Sequence, residues 1–147
     1  MSSGYGASDF LQLAKFCWDI IGRLRNLNNV YEHIQAEAGV LLMAFEKLHG
    51  CVQQFQGIPP EHSKTLHQVR SNCQKTLTNV SEAISKFERL GNTGNLSRGA
   101  KKTFLALQNQ EIEFRAELHR QINLVNPLVL NMSQYVVLLG LLRRKSK

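Results

Sequence analysis

Residues 66–90 read LHQVRSNCQKTLTNVSEAISKFERL, and the fold is decided by this stretch. Its apolar positions are Leu66, Val69, Cys73, Leu77, Val80, Ile84, Phe87 and Leu90. Every step is three or four residues, which places these side chains on one stripe of an α-helix. Arg70, Lys75, Glu82, Lys86, Glu88 and Arg89 fall between them and suit a wet face. No Pro or Gly interrupts the run, so the spacing predicts a helix of roughly seven turns. A helix with one long apolar stripe needs partners in water, and these eight residues are the predicted core side of the third helix.

The chain offers three more segments of the same kind. Ser8 and Asp9 are candidate caps for a first helix, whose stripe is Phe10, Leu13, Ala14, Cys17, Ile20, Ile21 and Leu24. Leu11, Phe16 and Trp18 lie partly off that stripe, so this helix is apolar over more than one face. Burial on two sides is the ordinary reading; contact with a membrane is the sharper one. Asn26, Asn28 and Asn29 mark its end, and a second helix follows with Val30, Ile34, Ala38, Leu41, Phe45, Leu48, Val52 and Phe55. Gln56-Gly57-Ile58-Pro59-Pro60 breaks the chain, and Glu61 and His62 open the third helix. After the polar loop 91–97, a fourth helix is predicted on Phe104, Leu105, Gln108, Ile112, Arg115, Leu118, Ile122 and Val125. Pro127 cannot donate a backbone hydrogen bond, which predicts a kink or break near Asn123–Asn126. An almost wholly apolar segment, 128–142, then leads to Arg143-Arg144-Lys145-Ser146-Lys147.

No segment alternates with period two between turn residues. The fold class is therefore all-α: an up-down bundle of four long helices with a C-terminal extension or fifth helix. The expected organisation is one bundle domain over 1–142 and a basic tail over 143–147. With 147 residues, 43% hydrophobic and 20% charged, the chain has the make-up of one soluble globular domain. The formal net charge of +7 is unevenly placed. Residues 1–90 carry nine Lys/Arg against eight Asp/Glu, and residues 91–147 carry nine against three. A basic half suits nucleic acid, anionic lipid or an acidic protein, or simply a solvated surface.

Catalytic patterns are absent from the sequence. Cys17, Cys51 and Cys73 form no even set and no CxxC, and Cys17 and Cys73 sit on apolar stripes as small hydrophobes. His62 and His67 are five apart and fall on different helix faces. Glu111, Glu113 and Glu117 alternate with Arg115 and Arg120, which predicts a solvated face of short-range ion pairs. Nothing resembles a helix-turn-helix or an RNA-stacking set, so no nucleic acid is expected; nor is a metal, a cofactor or an enzyme. Residues 121–142 carry no charge and are about as long as a bilayer core is thick. Asn123, Asn126, Pro127, Asn131, Ser133 and Gln134 make that run a poor permanent span. A reversible contact between the basic tail, Arg143, Arg144, Lys145 and Lys147, and anionic lipid fits it better. The amino-terminal residues lack a basic secretory n-region, which points to the cytoplasm.

The stretch from Gly6 to Trp18, GASDFLQLAKFCW, resembles the opening of the HeLo-like N-terminal domains of fungal NOD-like (STAND) receptors. Asn72-Cys73 with Leu77, and then Ser85-Lys86-Phe87-Glu88-Arg89-Leu90-Gly91, look like that family's Gly-Cys…Leu and Lys-Tyr-x-x-Leu-Gly patterns, with Asn72 and Phe87 in place of Gly and Tyr. Glu111, Arg115 and Leu118, followed by Ile122 and Leu128, are similar to its last bundle helix. The resemblance spans about residues 4–134. It implies a helical signalling or effector domain of regulated fungal cell death or heterokaryon incompatibility, cytoplasmic and recruited to the plasma membrane on activation. The implied partners are further copies of the chain, anionic lipids and the helical or NOD-like receptor domains of other proteins. The implied membrane-inserting element is the first helix, through Phe10, Leu11, Phe16, Trp18, Ile20 and Ile21. The alternative is a cytosolic adaptor that binds a partner helix and never touches lipid.

Overall fold

A computed structural model of the chain describes residues 7–27, 30–54, 60–91 and 98–145. Every regular element among them is a helix: α1 (Ala7–Arg25), α2 (Glu32–Gln54), α3 (Pro60–Gly91) and α4 (Arg98–Lys145). The adjoining pairs are α1–α2, α2–α4, α3–α4 and α1–α3. Side-chain partners fix the chain sense at these seams. Asp9 meets Arg70 and Arg23 meets Glu88, so α1 and α3 run the same way. Glu37 meets Arg115, and Cys51 lies beside Ser133, so α2 and α4 also run the same way. Phe87 stacks on Phe104 while Cys73 reaches Gln121, so α3 and α4 run in opposite senses.

The stripe on α3 packs as the spacing predicts. Leu66, Val69, Cys73, Leu77, Val80, Ile84 and Phe87 are buried, joined by Ala83. Leu90, the last of the set, is half-buried and packs against the rim of the core. On α1, the buried side is Phe10, Leu13, Ala14, Cys17, Ile20, Ile21 and Leu24. The helix begins at Ala7, two to three residues earlier than a cap at Ser8 or Asp9 requires. Asp9 therefore lies inside the first turn, where a carboxylate suits the positive end of the helix dipole. On α2, Ile34, Ala38, Leu41, Ala44, Phe45, Leu48, Cys51 and Val52 are buried. Val30 precedes α2 and is half-buried; Phe55 and the 91–97 loop beyond Gly91 lie outside the described residues.

Two expectations for the fourth helix are corrected. Leu105 and Ile112 are exposed, Ile112 at 78%. The inward stripe instead runs through Phe104, Leu107, Phe114, Leu118, Gln121, Val125, Leu128, Val129 and Met132. Apart from the adjacent pair Leu128 and Val129, its steps are threes, fours and one seven, but Gln121 is one of its buried members, which hides it from a reading that tracks apolar residues alone. Of the expected kink or break, the break does not occur: α4, 48 residues long, continues through Pro127, so no separate fifth helix occurs among the described residues. Asn123 and Pro127 are both exposed, so the carbonyl that Pro127 cannot bond faces water and costs little. Arg143, Arg144 and Lys145 form the last turn of α4.

One aromatic cluster closes the end of the bundle where α1 turns into α2. Tyr31 is left-handed, with φ of 52°. Its ring stands edge-on to Phe87 at 5.1 Å and to Phe114 at 5.8 Å, and Phe87 stands edge-on to Phe104 at 5.2 Å. Its hydroxyl donates to the Leu107 carbonyl. Burial, with a smaller contribution from Glu111, raises the phenol well above its ordinary value and keeps it a donor at neutral pH.

All three thiols are buried and unbridged. Burial pushes Cys17 and Cys73 from an ordinary 9.0 up to about 12. The thiolate is the reactive form, so both are expected to resist an alkylating reagent in the native state at neutral pH, with Cys51 labelling first. Rapid native-state labelling of Cys17 and Cys73 would contradict their placement. The same shift sets a stability slope. Well below pH 9.0 these thiols are neutral in both states; as pH rises through 9.0 towards about 12 the unfolded chain ionises ahead of the native one, so stability falls with rising pH.

Candidate functional site: the exposed end of α4

The helices differ greatly in length: 19 residues in α1, 23 in α2, 32 in α3 and 48 in α4. At 1.5 Å per residue α4 is about 72 Å long and α3 about 48 Å. The pairings of Phe87 with Phe104 and Cys73 with Gln121 place the start of α3 beside Met132. Past that point α4 keeps α2 alongside only to its end: Gln54 borders a shallow hollow of about 250 Å³ with Val136, Leu139, Gly140 and Arg143. The remainder of α4 outruns the described parts of both neighbours.

That remainder is apolar on every side. Residues 135–142 are Tyr-Val-Val-Leu-Leu-Gly-Leu-Leu. Val137 is 62% exposed, Leu138 57%, Leu141 48% and Leu142 63%. Val136 and Leu139 are half-buried, and Arg143, Arg144 and Lys145 are exposed immediately beyond. Helical geometry spreads Val137, Leu138, Leu141 and Leu142 over a broad arc, and the basic last turn follows on the same axis. Monomeric soluble proteins seldom leave so many adjacent large aliphatic side chains in water. By length and composition α4 also holds a stretch able to cross a membrane, although part of that stretch is core here. Lys147 lies outside the described residues.

The six residues expected to insert from α1 are not brought together. Phe10, Ile20 and Ile21 are in the core, covered by the bundle. Leu11 and Phe16 are half-buried, Phe16 against the core. Only Trp18 is broadly open, with the Arg25 guanidinium 5.9 Å from its ring centre. Leu11, Ala14 and Trp18 line one wall of an open groove of about 280 Å³ facing Leu42 and Glu46 of α2.

Two polar clusters that sequence spacing did not suggest tie the helices together. Arg23 of α1 donates to Ser81 Oγ and Ser85 Oγ at 2.7 Å each and to Glu88 Oε1 at 2.6 Å. This guanidinium fixes α1 to α3 through three side chains spaced three to four residues apart. Glu37 of α2 is buried, and its Oε1 accepts from Arg115 Nε at 2.9 Å and meets His119 Nε2, while Oε2 has no partner. Arg115 thus bridges to another helix instead of joining a ladder on its own. Arg120 keeps the expected local pairing with Glu117, at 2.7 Å. Both clusters depend on residues far apart in the chain, so local spacing carries no sign of them.

A polar groove of about 580 Å³ between α3 and α4 is lined by Asn72, Lys75, Asn79, Glu113, Glu117 and Arg120, among others. Its charges are mixed and Arg120 is already paired. Among the described residues no group of three or more His, Cys, Asp or Glu side chains could hold a metal ion. The chain matches no family model, no curated protein and no solved structure.

Proposed function

We propose that this chain is a HeLo-like signalling domain that self-associates and acts at membranes, and that its four helices form an up-down bundle. The like-directed pairs α1–α3 and α2–α4, with α3 and α4 opposed, support the bundle. The observation that carries the membrane reading is the pairing of Val137, Leu138, Leu141 and Leu142, all open to water, with Arg143, Arg144 and Lys145 one turn on. Apolar area and cationic charge are the two quantities that bring a soluble domain to an anionic bilayer. Withdrawing α1 instead would empty the core of seven buried side chains and break the Arg23 cluster.

The deciding experiment is vesicle sedimentation of the whole chain with and without anionic lipid, with its mass measured free and bound. Co-sedimentation and a larger bound mass are expected; a lipid-indifferent monomer would remove the reading. Changing Arg143, Arg144, Lys145 and Lys147 to Gln is expected to weaken binding, at up to about 1 kcal/mol per cation near the surface. Added salt should weaken the parent in the same direction. Binding indifferent to both treatments would assign the basic turn to solubility.

A second reading rests on a different observation. The groove beside Trp18 sets a broadly exposed indole on an apolar floor of Leu11, Ala14 and Leu42. Interface anchors are often such aromatic residues. A cytosolic adaptor that seats a partner helix there would keep that function without lipid, and Trp18→Ala would abolish it.

A further inference from the structure

We infer that the α4 segment 137–145 is a shallow mooring that lies in one leaflet of an anionic bilayer, with the bundle folded above it, and that it does not cross the membrane. This deepens the membrane reading proposed above and rests on it.

The argument starts from lengths. The apolar run that extends past the core-packed Val136 is the six residues 137–142, about 9 Å of helix, against a hydrocarbon core of about 30 Å. A crossing would have to recruit residues back to Gln121. It would draw Gln121, Val125, Leu128, Val129 and Met132 out of a packed core. It would also place Asn123, Asn126, Asn131, Ser133 and Gln134 in hydrocarbon. Finally, Arg143, Arg144 and Lys145 lie at the leading end of the segment, so crossing would carry all three charges through the membrane.

Lying along the surface removes each conflict. Val137, Leu138, Leu141 and Leu142 sink to the boundary of headgroups and acyl chains. Arg144 and Lys145 have long aliphatic stems whose charged ends reach back to the lipid phosphates. The root of the segment is held by α2, through the packing of Met132 in the core and the Cys51–Ser133 contact of 3.8 Å. Charge complementarity selects the partner: a bilayer rich in anionic headgroups over a neutral one. A second copy packed in parallel along this segment would set its own basic turn against the same charges.

The test uses the full chain on vesicles of phosphatidylserine and phosphatidylcholine, with pure phosphatidylcholine as the control. The only tryptophan is Trp18, so Trp18→Phe combined with Leu138→Trp makes one reporter at the segment. Lipids brominated at shallow and deep acyl positions should quench this reporter most strongly at the shallow position. A cysteine placed at Lys145 should remain open to an impermeant thiol reagent added outside the vesicles. Leu138→Glu with Leu142→Glu should lower affinity more than tenfold with an unchanged far-ultraviolet spectrum and melting curve. Lys101→Gln with Lys102→Gln, near the opposite end of α4, should change affinity less than threefold. Deep quenching with protection at residue 145 would establish a crossing and overturn the inference. Quenching of Trp18 in the parent, with none at residue 138, would make α1 the inserting element and overturn it equally. Loss of a lipid-free dimer in the Glu variant, with vesicle binding intact, would make the segment a self-association face. Failure of the parent to bind anionic vesicles would refute the membrane reading itself, an outcome separable from these three.

Discussion

Phe87→Ala is expected to destabilise the protein by about 3–5 kcal/mol, the usual cost of deleting a large aromatic side chain from a packed core. Phe87 is buried and meets two rings edge-on, Tyr31 at 87° and Phe104 at 86°. It therefore helps join α3, α4 and the turn into α2. Deleting it removes the apolar transfer gain, leaves a cavity and loses two aromatic contacts of about 0.5–1.5 kcal/mol each, partly counted in the same total. The neighbours have little room to collapse, because Tyr31 is held by its hydroxyl bond to Leu107 and by its left-handed backbone. Urea unfolding should show a lower midpoint at an unchanged slope. A loss below about 1 kcal/mol would mean that this cluster is not central to the fold.

Ile20→Lys should be at least as damaging, while Leu11→Lys on the same helix should leave the protein folded. Ile20 is fully buried on the core side of α1, so an ammonium group there has neither water nor a carboxylate partner. Uncompensated buried charges cost about 3–5 kcal/mol, a large share of the stability of an ordinary domain and close to all of it at the low end of the range. Leu11 is half-buried in the open groove, where Glu46 stands on the opposite wall. A lysine there can turn its charge to water, and a change within about 1 kcal/mol is expected. Far-ultraviolet circular dichroism and thermal melts of the two variants separate the cases. If both are strongly destabilised, the groove is part of the core; if both melt like the parent, α1 is not packed as described. A folded Leu11→Lys variant that still binds vesicles would agree with α4 as the membrane element.

What the sequence by itself determined is the helical class and three of the four buried stripes. Apolar residues at steps of three and four on α1, α2 and α3 leave little choice, because only one face of each helix can escape water. The weaknesses of the reading lie where that signal is diluted. On α4, buried Gln121 interrupts the apolar pattern while Leu105 and Ile112 imitate it from the solvent side. Pro127 predicts a break by local chemistry, yet one lost hydrogen bond on an exposed face does not outweigh the packing of Val125, Leu128, Val129 and Met132 on either side of it. The candidate site was half legible. The sequence places an apolar run beside a basic cluster, but composition does not say whether that run is core or surface. Only the tertiary structure decided this, by giving α4 48 residues and α2 and α3 no more than 32. The apolar stripe of α1 found partners on adjoining helices, and Val137, Leu138, Leu141 and Leu142 at the end of α4 stayed exposed, because burial depends on what lies alongside a helix and not on its own composition.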